Sequence, residues 1–270
     1  MSGYKQFHGL SGPLFGKGLG PGALLVYPQL QELEDELEVL VEEGGVGVLS
    51  GEMGMGKTTA LRHYIDQRSD RNVQALYHGS SRHSTALLEA LAEGLGVAPA
   101  RHRAALLRQV GQQVERTWHE QRRKTLVILD DAHLLEDALL EDLRLLTNFE
   151  MDTADPLVLV LSGHPALRKR LTRPVHLALW DRVRLHYRLE GLSREETSEY
   201  IDRHLNAAKG SPDLFTAEAR DALFERAQGI PRRINSLARD ALKRSARRGL
   251  TPVDAGLVEE AARSQQASAD

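Results

Sequence analysis

Length and composition already exclude several classes of protein. The chain has 270 residues, a hydrophobic fraction of 41%, a formal net charge of −3 at pH 7 and no cysteine. Without cysteine there are no disulfides and no thiolate metal sites. No apolar run approaches the ~20 residues that a membrane helix needs, and the N-terminal residues lack the charged-then-apolar order of a signal peptide. We therefore expect a soluble, cytoplasmic protein that has no membrane partner.

The charged residues are unevenly distributed along the chain. Residues 32–43 are acidic, whereas residues 232–248 contain seven arginines or lysines and one aspartate. Patches of opposite sign are compatible with DNA contact or with subunits that pack head to tail. They are equally typical of two solvated helices.

The first 43 residues divide into two parts. Residues 1–28 contain seven glycines and three prolines without sustained periodicity, which predicts an irregular N-terminal arm. Residues 29–43 are acidic and amphipathic, which predicts a helix. The apolar side of this helix consists of Leu30, Leu33, Leu37, Leu40 and Val41.

Residues 29–190 predict an α/β core. Five short apolar runs, mostly β-branched, are bounded by turn or cap signals; they are 46–49, 73–77, 126–129, 157–161 and 183–189. Helical patterns separate them, at 58–67, 84–95, 101–121, 134–148 and 165–171. Strands that alternate with helices predict a five-stranded parallel sheet that is covered on both faces.

Residues 191–264 contain no further strand and predict a small helical lid bundle. Ser193 and Glu196 form a capping box that opens a helix ending near residue 208. Thr216 starts a second helix, and Pro231 lies in the first turn of a third, which Gly249 ends. Residues 251–254 cap a fourth helix, and residues 265–270 are expected to be a frayed tail.

A phosphate-binding pattern lies between the first strand and the first core helix. It reads Gly51-x-x-x-x-Gly56-Lys57-Thr58. Glycines let backbone N–H groups converge on a phosphate, and the helix N-terminus adds a favourable dipole. We expect Lys57 to reach the β- and γ-phosphates and Thr58 to ligate Mg²⁺; the alternative is a plain glycine turn. The predicted nucleotide contacts here are Gly51, Glu52, Met53, Gly54, Met55, Gly56, Lys57, Thr58 and Thr59.

Two acids follow the third strand. Asp130 is expected to hold Mg²⁺ in its outer shell and Asp131 to orient or deprotonate the attacking water. A strand that ends in a helix N-cap explains one aspartate but not two. The GTPase signature Asn-Lys-x-Asp is absent, and two tandem acids are unusual for a small-molecule kinase. The pattern therefore favours an ATPase that uses ATP and Mg²⁺, with Ser162 or His164 after the fourth strand as the γ-phosphate sensor.

Two arginine sites complete the predicted machinery. Arg232, at the start of the third bundle helix, is expected to reach the phosphates of its own subunit, so that the nucleotide state sets the angle between core and bundle. The alternative is a solvated basic helix face. Arg182 is the leading candidate for an arginine finger that reaches a neighbouring subunit, with Arg173 and Arg184 as competitors.

With these residues in place, the chain resembles AAA+ ATPases and, more closely, the ExeA-like group that includes the transposition regulators TniB and TnsC. Besides the two nucleotide motifs, the resemblance rests on Tyr4-x-x-Phe7-x-Gly9-x-x-x-Pro13-x-Phe15, Gly163-His-Pro-x-Leu167, Leu192-Ser-x-Glu195-Glu196-Thr-x-x-Tyr200-Ile201 and Gly229-x-Pro-Arg232-x-Ile-Asn235. Asp131 stands where the group usually has Glu, so hydrolysis is expected to be slow. His164 stands where relatives tend to carry Gln or Thr.

The resemblance implies a homo-oligomer, ring or filament, that assembles on double-stranded DNA with ATP and recruits or activates a transposase. Hydrolysis is then expected to dismantle the assembly. Secretion-associated members are typically longer, with a membrane segment and a wall-binding region that this sequence lacks, which favours the transposition regulators. The alternatives are an ATPase that assembles a secretion or envelope complex through protein contacts alone, and a loader or stress-related switch of the same fold.

The residues themselves offer a DNA-binding surface. On a helical wheel of the third bundle helix, Arg239, Lys243 and Arg247 share one narrow arc with Arg232. Arg233, Arg244 and Arg248 widen the arc in one direction. A basic face opposite a packed face predicts salt-sensitive, sequence-independent contact with the DNA backbone.

Overall fold

Five parallel strands form the sheet in the computed structural model, which describes residues 3–12, 14–16, 27–68, 72–79, 84–149 and 155–267. They are β1 (Gly45–Ser50), β2 (Val73–His78), β3 (Lys124–Leu129), β4 (Leu157–Gly163) and β5 (Val183–Arg188). Their order in the sheet is β2-β3-β4-β1-β5, and every pairing is parallel. The predicted five-stranded parallel sheet is confirmed.

Twelve α-helices occur in the described residues. They are α1 (Gly3–Phe7), α2 (Pro28–Glu43), α3 (Lys57–Gln67), α4 (Ser84–Gly94), α5 (Arg103–Gln121), α6 (Asp137–Leu146), α7 (Ala166–Leu171), α8 (Leu177–Trp180), α9 (Arg194–Ala207), α10 (Ala217–Ala227), α11 (Pro231–Arg248) and α12 (Ala255–Gln266). None of the helices that the structure describes is long and apolar enough to cross a lipid bilayer.

The chain folds as two compact units. The α/β unit contains Pro28–Met53 and Lys57–Leu189. The helical unit contains the described residues of Met1–Tyr27 and Glu190–Asp270, together with Gly54–Gly56.

Burial in the α/β unit follows the position of each strand. All residues of the central strands β1 and β4 are buried, whereas the edge strands β2 and β5 are only partly buried. Central strands covered on both faces need continuous apolar sequence, and edge strands do not. On α2, the buried residues are the five predicted from the sequence.

Two details of the α/β unit differ from the sequence prediction. The helix expected from residue 134 begins at Asp137, because Ala132–Leu134 form a 3₁₀ turn after Asp131, whose φ is +52°. The four-residue helix α8 was not predicted, since one turn is too short to show a helical period.

Local capping signals define the helical unit. Ser193 Oγ accepts the N–H of Glu196 at 3.1 Å, and the Glu196 carboxylate accepts the N–H of Ser193 at 2.7 Å, which confirms the capping box. Thr216 caps α10, and Gly249 ends α11 with a φ of +67°. Asp254 caps α12.

The described residues of the predicted N-terminal arm pack into the helical unit. They contain α1, and the side chains of Leu10, Leu14 and Phe15 are buried in the core of the helical unit. Phe15 donates its N–H to Nδ1 of His204 at 3.2 Å. Packing against a helix distant in sequence fixes these described residues. Residues 1, 2 and 17–26, the motif residue Pro13 and the tail residues 268–270 lie outside the described residues.

Candidate active site

The carboxyl ends of three neighbouring strands bring the predicted site residues together. In the order β3-β4-β1, Asp130 follows β3, Ser162 lies in β4, and β1 leads into the phosphate loop, defined as residues 51–58. Leu49 is paired with Ser162 across the β1–β4 ladder. Because parallel strands end at the same edge of a sheet, residues far apart in sequence share one site.

The phosphate loop requires glycine for two reasons. Gly54 and Gly56 have φ values of +89° and +96°, which side chains rarely adopt. A Cβ on Gly51 would lie 2.9 Å from the carbonyl oxygen of Leu189, closer than real Cβ contacts. Glycine at these positions leaves the backbone N–H groups of the loop unobstructed, as an anion-binding loop requires.

Lys57 begins α3 and turns its ammonium group toward the phosphate loop. Its Nζ donates to the carbonyl oxygens of Gly51 at 2.7 Å and Glu52 at 3.0 Å. The N-terminal N–H groups of α3 and its dipole favour an anion at the same place. Of the other predicted contacts, Glu52, Met53 and Thr59 are exposed and Met55 is half-buried.

Asp130 is only 5% exposed and accepts four hydrogen bonds. Its Oδ2 accepts from Thr58 Oγ1 at 2.5 Å and from Tyr77 Oη at 2.9 Å. Its Oδ1 accepts from Ser162 Oγ at 2.8 Å and from the N–H of Asp131 at 3.0 Å. Burial alone would raise the pKa of Asp130, but these hydrogen bonds, led by that of Thr58, hold the pKa below its ordinary value. The carboxylate is therefore ionised.

Asp131 differs from Asp130 in its exposure and in its hydrogen bonding. Its side chain is exposed, and its carboxylate makes no hydrogen bond or ion pair with the residues that the structure describes. It occupies the N-cap position of the turn Ala132–Leu134 without a side-chain cap bond. Its backbone is left-handed, a conformation in which Asp is more common than Glu. A helix cap therefore does not explain this acid, and the left-handed backbone favours Asp over Glu at this position.

Ser162 and His164 face different partners. Ser162 is fully buried and donates to Asp130. The His164 side chain is 44% exposed, and its Nε2 lies 3.1 Å from Oε2 of Glu52 in the phosphate loop. His133 lies in the 3₁₀ turn after Asp131.

Sequence reasoning missed Tyr77, the third side chain that donates to Asp130. It lies in β2 and is paired with Ile128 of β3. Burial, followed by the hydrogen bond and charge of Asp130, raises the pKa of Tyr77 to about 12, so the phenol stays protonated and donates. A tyrosine near the end of the second apolar run is the available signal, but only the order of the strands reveals its neighbour.

The three finger candidates differ in how their guanidinium groups are bonded. Nη1 of Arg182 donates to the carbonyl oxygen of Thr147 at 2.6 Å and to its hydroxyl at 3.0 Å, and Nη2 donates to Asn148. Arg184 bonds to two backbone carbonyls and a nearby carboxylate. Arg173 is exposed, and its guanidinium makes no hydrogen bond or ion pair with the described part of the chain.

In the helical unit, Gly54–Gly56 pack against the start of α11. The N–H of Arg232 donates to the carbonyl oxygen of Gly54 at 3.3 Å. A Cβ on Gly54 would lie 2.6 Å from Cβ of Arg232 and 3.4 Å from Cγ2 of Ile230. The Arg232 guanidinium is exposed and makes no hydrogen bond or ion pair with any described residue.

The basic residues of α11 fall into two sets. Arg244 donates to Ser264, and Arg248 forms an ion pair of 2.7 Å with Glu260, so both are bound to α12. Lys243 pairs with Asp240 on its own helix. The basic face, defined as Arg232, Arg239, Lys243 and Arg247, lies opposite the buried residues of α11, and its three arginines form no hydrogen bond or ion pair within the described chain.

These residues fit a magnesium nucleotide. The phosphate loop has no side chains at its tight positions, and the hydroxyl of Thr58 donates a hydrogen bond to the ionised carboxylate of Asp130. Oxygen ligands of this kind suit Mg²⁺, which keeps several of its waters. The described residues contain no cluster of three or more His, Cys, Asp or Glu that would form a separate metal site.

The family comparison agrees with this geometry. A family model described as an AAA domain matches residues 41–171, which include the phosphate loop, both aspartates and Ser162. Residues 41–171 therefore match an AAA domain, and this part of the chain is an ATPase domain that takes ATP with Mg²⁺.

The chain is related to the General secretion pathway protein A (ExeA) of Aeromonas hydrophila. The two are 31% identical over 257 residues, which cover 91% of this chain and 45% of the relative. The chain thus spans less than half the length of this relative.

Two solved structures share the fold of the AAA domain and the helical region. Cdc6p of Pyrobaculum aerophilum has a TM-score of 0.70 at 18% identity, covering 88% of this chain and 67% of that protein. The ORC1 protein of Aeropyrum pernix, solved in complex with DNA, has a TM-score of 0.65 at 19% identity, covering 90% and 66%. Identities this low establish the fold alone.

Proposed function

We propose that the chain is an oligomeric molecular switch driven by ATP binding and slow hydrolysis. The observation that carries this proposal is the pair of adjacent aspartates in opposite environments. Asp130 is buried, ionised and bonded to the hydroxyl of Thr58, whereas Asp131 is exposed and unbonded among the described residues. Such a pair supplies one fixed carboxylate beside the metal site and one free carboxylate that can act on water.

Each residue then has a defined role. Mg²⁺, when bound, offsets the charge that develops on the phosphates during transfer. The phosphate loop and Lys57 bind and orient the phosphates, and Thr58 and Asp130 hold the metal position. Asp131 orients the attacking water or accepts its proton. Its side chain is one methylene shorter than the usual Glu, and a displacement of ~1 Å can reduce the rate by about a hundredfold.

His164 is the better candidate for the γ-phosphate sensor. The Ser162 hydroxyl is fully buried and already donates to Asp130. The His164 side chain is exposed and lies beside Glu52 at the start of the phosphate loop. In this proposal Ser162 fixes Asp130, and His164 contacts the phosphate.

Arg173 is the better candidate for the finger that reaches a neighbouring subunit. An arginine finger must be free to leave its own subunit and contact charge on another. Arg182 would first have to break its bonds to Thr147 and Asn148, whereas the Arg173 guanidinium has none with described residues. Arg232, bonded to Gly54 through its backbone, stays the proposed cation that responds to nucleotide in the same subunit.

We propose that the switch binds duplex DNA and that it regulates transposition. The basic face of α11 supports DNA binding, since its three arginines make no internal hydrogen bond or ion pair in the described chain. Such a face binds the phosphate backbone without reading bases. A transposase partner rests on the sequence resemblance to the transposition regulators alone.

The second candidate is an ATPase that assists assembly of a secretion or envelope complex through protein contacts. The relationship to General secretion pathway protein A over 91% of this chain favours it. Both candidates use the same ATP site and differ in whether the basic face of α11 binds DNA.

One binding experiment separates the two candidates. We expect the chain with a non-hydrolysable ATP analogue to bind random duplex DNA at 50 mM salt and to lose affinity steeply by 200 mM. Lys57→Ala should remove the nucleotide dependence. Arg247→Ala should lower the salt slope by about one, whereas Arg248→Ala, which removes an arginine already paired with Glu260, should leave it nearly unchanged. Absence of binding at low salt would exclude the DNA role and leave the ATP switch in place.

A further inference from the structure

The hydrogen bonds on Asp130 leave no acceptor position free. A carboxylate offers about four lone-pair sites. The two lone-pair sites of Oδ2 accept from the hydroxyls of Thr58 and Tyr77. The two lone-pair sites of Oδ1 accept from the hydroxyl of Ser162 and the N–H of Asp131. A carboxylate that holds Mg²⁺ in the outer shell must accept a hydrogen bond from a metal-bound water. One of the four donors therefore has to leave before that bond can form.

Three of the donors are held in place. Ser162 is fully buried, so its hydroxyl cannot exchange Asp130 for bulk water. The N–H of Asp131 is part of the backbone directly after the strand. Thr58 is exposed like Tyr77, but its hydroxyl is the expected metal ligand next to Asp130, so it is needed at this position when the metal binds.

Tyr77 is the donor that can leave. It lies in β2, the edge strand of the sheet, and is 40% exposed. A phenol that rotates out of this position exchanges Asp130 for water and leaves no buried polar group unbonded. Its departure also opens one lone pair on Oδ2, the oxygen that Thr58 already contacts.

We propose that Tyr77 is a positioning residue that competes with the hydration shell of Mg²⁺ for Asp130. While the phenol donates to Oδ2, the carboxylate is ionised and aligned but cannot accept a hydrogen bond from a metal-bound water. When the phenol leaves, the same carboxylate can accept that bond. Tyr77 thereby sets the Mg²⁺ concentration at which the site accepts the metal nucleotide. This inference rests on the proposed ATP site and adds a residue that controls its metal requirement.

The test is a Mg²⁺ titration of nucleotide binding by the full chain. A fluorescent ADP derivative is bound first in EDTA and then at increasing Mg²⁺, with wild type and Tyr77→Phe compared. We expect the affinity in EDTA to be the same for both proteins. The Mg²⁺ midpoint of Tyr77→Phe should be lower by about tenfold or more, the size expected when one competing hydrogen bond to a charged group is removed.

Tyr187→Phe is the matched control. Tyr187 lies on β5, the other edge strand, and its hydroxyl donates to Gln29 and Glu32. The same substitution there should leave the Mg²⁺ midpoint unchanged. Tyr77→Leu also removes the hydroxyl and keeps the test available if the phenylalanine variant does not fold.

Each outcome decides the question. An equal or higher midpoint in the Tyr77 variants would show that the phenol does not compete with the metal, and the inference would be wrong while the ATP site stands. If wild type binds no nucleotide with or without Mg²⁺, the proposed function fails and the inference fails with it. A general loss of affinity in EDTA would identify Tyr77 as a structural support only.

Discussion

The hydroxyl of Thr58 donates a hydrogen bond of 2.5 Å to the carboxylate of Asp130, 72 positions further along the chain. This bond joins the first turn of α3 to the end of β3, so the proposed metal-binding part of the site is aligned by the fold. The parallel order β3-β4-β1 brings the two residues to the same edge of the sheet. Ser162, from β4 between them, completes the alignment through the same carboxylate.

Substitutions of Asp131 should separate catalysis from binding. Asp131→Asn keeps the size of the side chain and removes its charge. It should leave ATP affinity within about twofold and reduce turnover by at least about a hundredfold, since a positioned base contributes that much. Calorimetry and a phosphate-release assay measure the two quantities. Turnover close to wild type would mean that another group orients the water.

Asp131→Glu should raise the rate of turnover and lower the stability of the protein. The longer side chain extends the reach of the carboxylate by one methylene and should raise turnover by up to about a hundredfold. The left-handed backbone at this position, with a φ of +52°, should make Glu less stable than Asp by about 1 kcal/mol. Phosphate release and urea unfolding report the two effects. A variant with unchanged turnover would show that side-chain length does not limit the rate.

Gly54→Ala should damage the phosphate loop. Gly54 has a φ of +89°, and a Cβ there would lie 2.6 Å from Cβ of Arg232. We expect a loss of stability greater than about 1 kcal/mol and weaker nucleotide binding. Gly111→Ala is the matched control: it lies inside α5, where a Cβ meets only Leu146 at 3.9 Å, and should raise stability by about 0.5–1 kcal/mol. Equal effects of the two substitutions would contradict this account of the loop.

Arg173→Ala should abolish turnover in a way that a neighbouring subunit can rescue. Loss of an arginine finger reduces the rate by about a thousandfold or more without changing nucleotide affinity. A mixture of Arg173→Ala with Asp131→Asn should regain activity, because one subunit then supplies the finger and the other the catalytic acid. Arg182→Ala should instead lower stability, since Arg182 is bonded to Thr147. Rescue of Arg182→Ala but not of Arg173→Ala would assign the finger to Arg182.

His204 should make the protein less stable as the pH falls. Burial lowers the pKa of His204 to about 4, and its Nδ1 accepts the N–H of Phe15. Between the ordinary value of 6.5 and about 4, the unfolded chain binds a proton that the folded chain does not. Stability therefore declines with decreasing pH through this window, by up to about 3 kcal/mol.

Urea unfolding followed by circular dichroism at pH 7, 6 and 5 measures this decline. His204→Gln has no titrating group at this position and should lose less stability across the series. Parallel losses in both proteins would assign the pH dependence to other histidines.

Local sequence signals determined most of the secondary structure and the core of the site. Apolar runs, helical periods and caps place the five strands and the main helices, because these features depend on neighbours within a few residues. The glycine pattern with Lys57 and Thr58, and the two aspartates after β3, define the proposed ATP site for the same reason. They are short motifs whose chemistry is carried by adjacent residues.

Tertiary structure decided how side chains from distant segments share partners. The order of the strands brought the hydroxyl of Tyr77 within hydrogen-bond distance of Asp130. The fold also joined Arg182 to the residues after α6, and it joined Arg244 and Arg248 of α11 to α12. It also buried Phe15 of the N-terminal segment. Hydrogen bonds and packing of this kind join residues tens to hundreds of positions apart, and no local period or motif in the sequence records which of them meet.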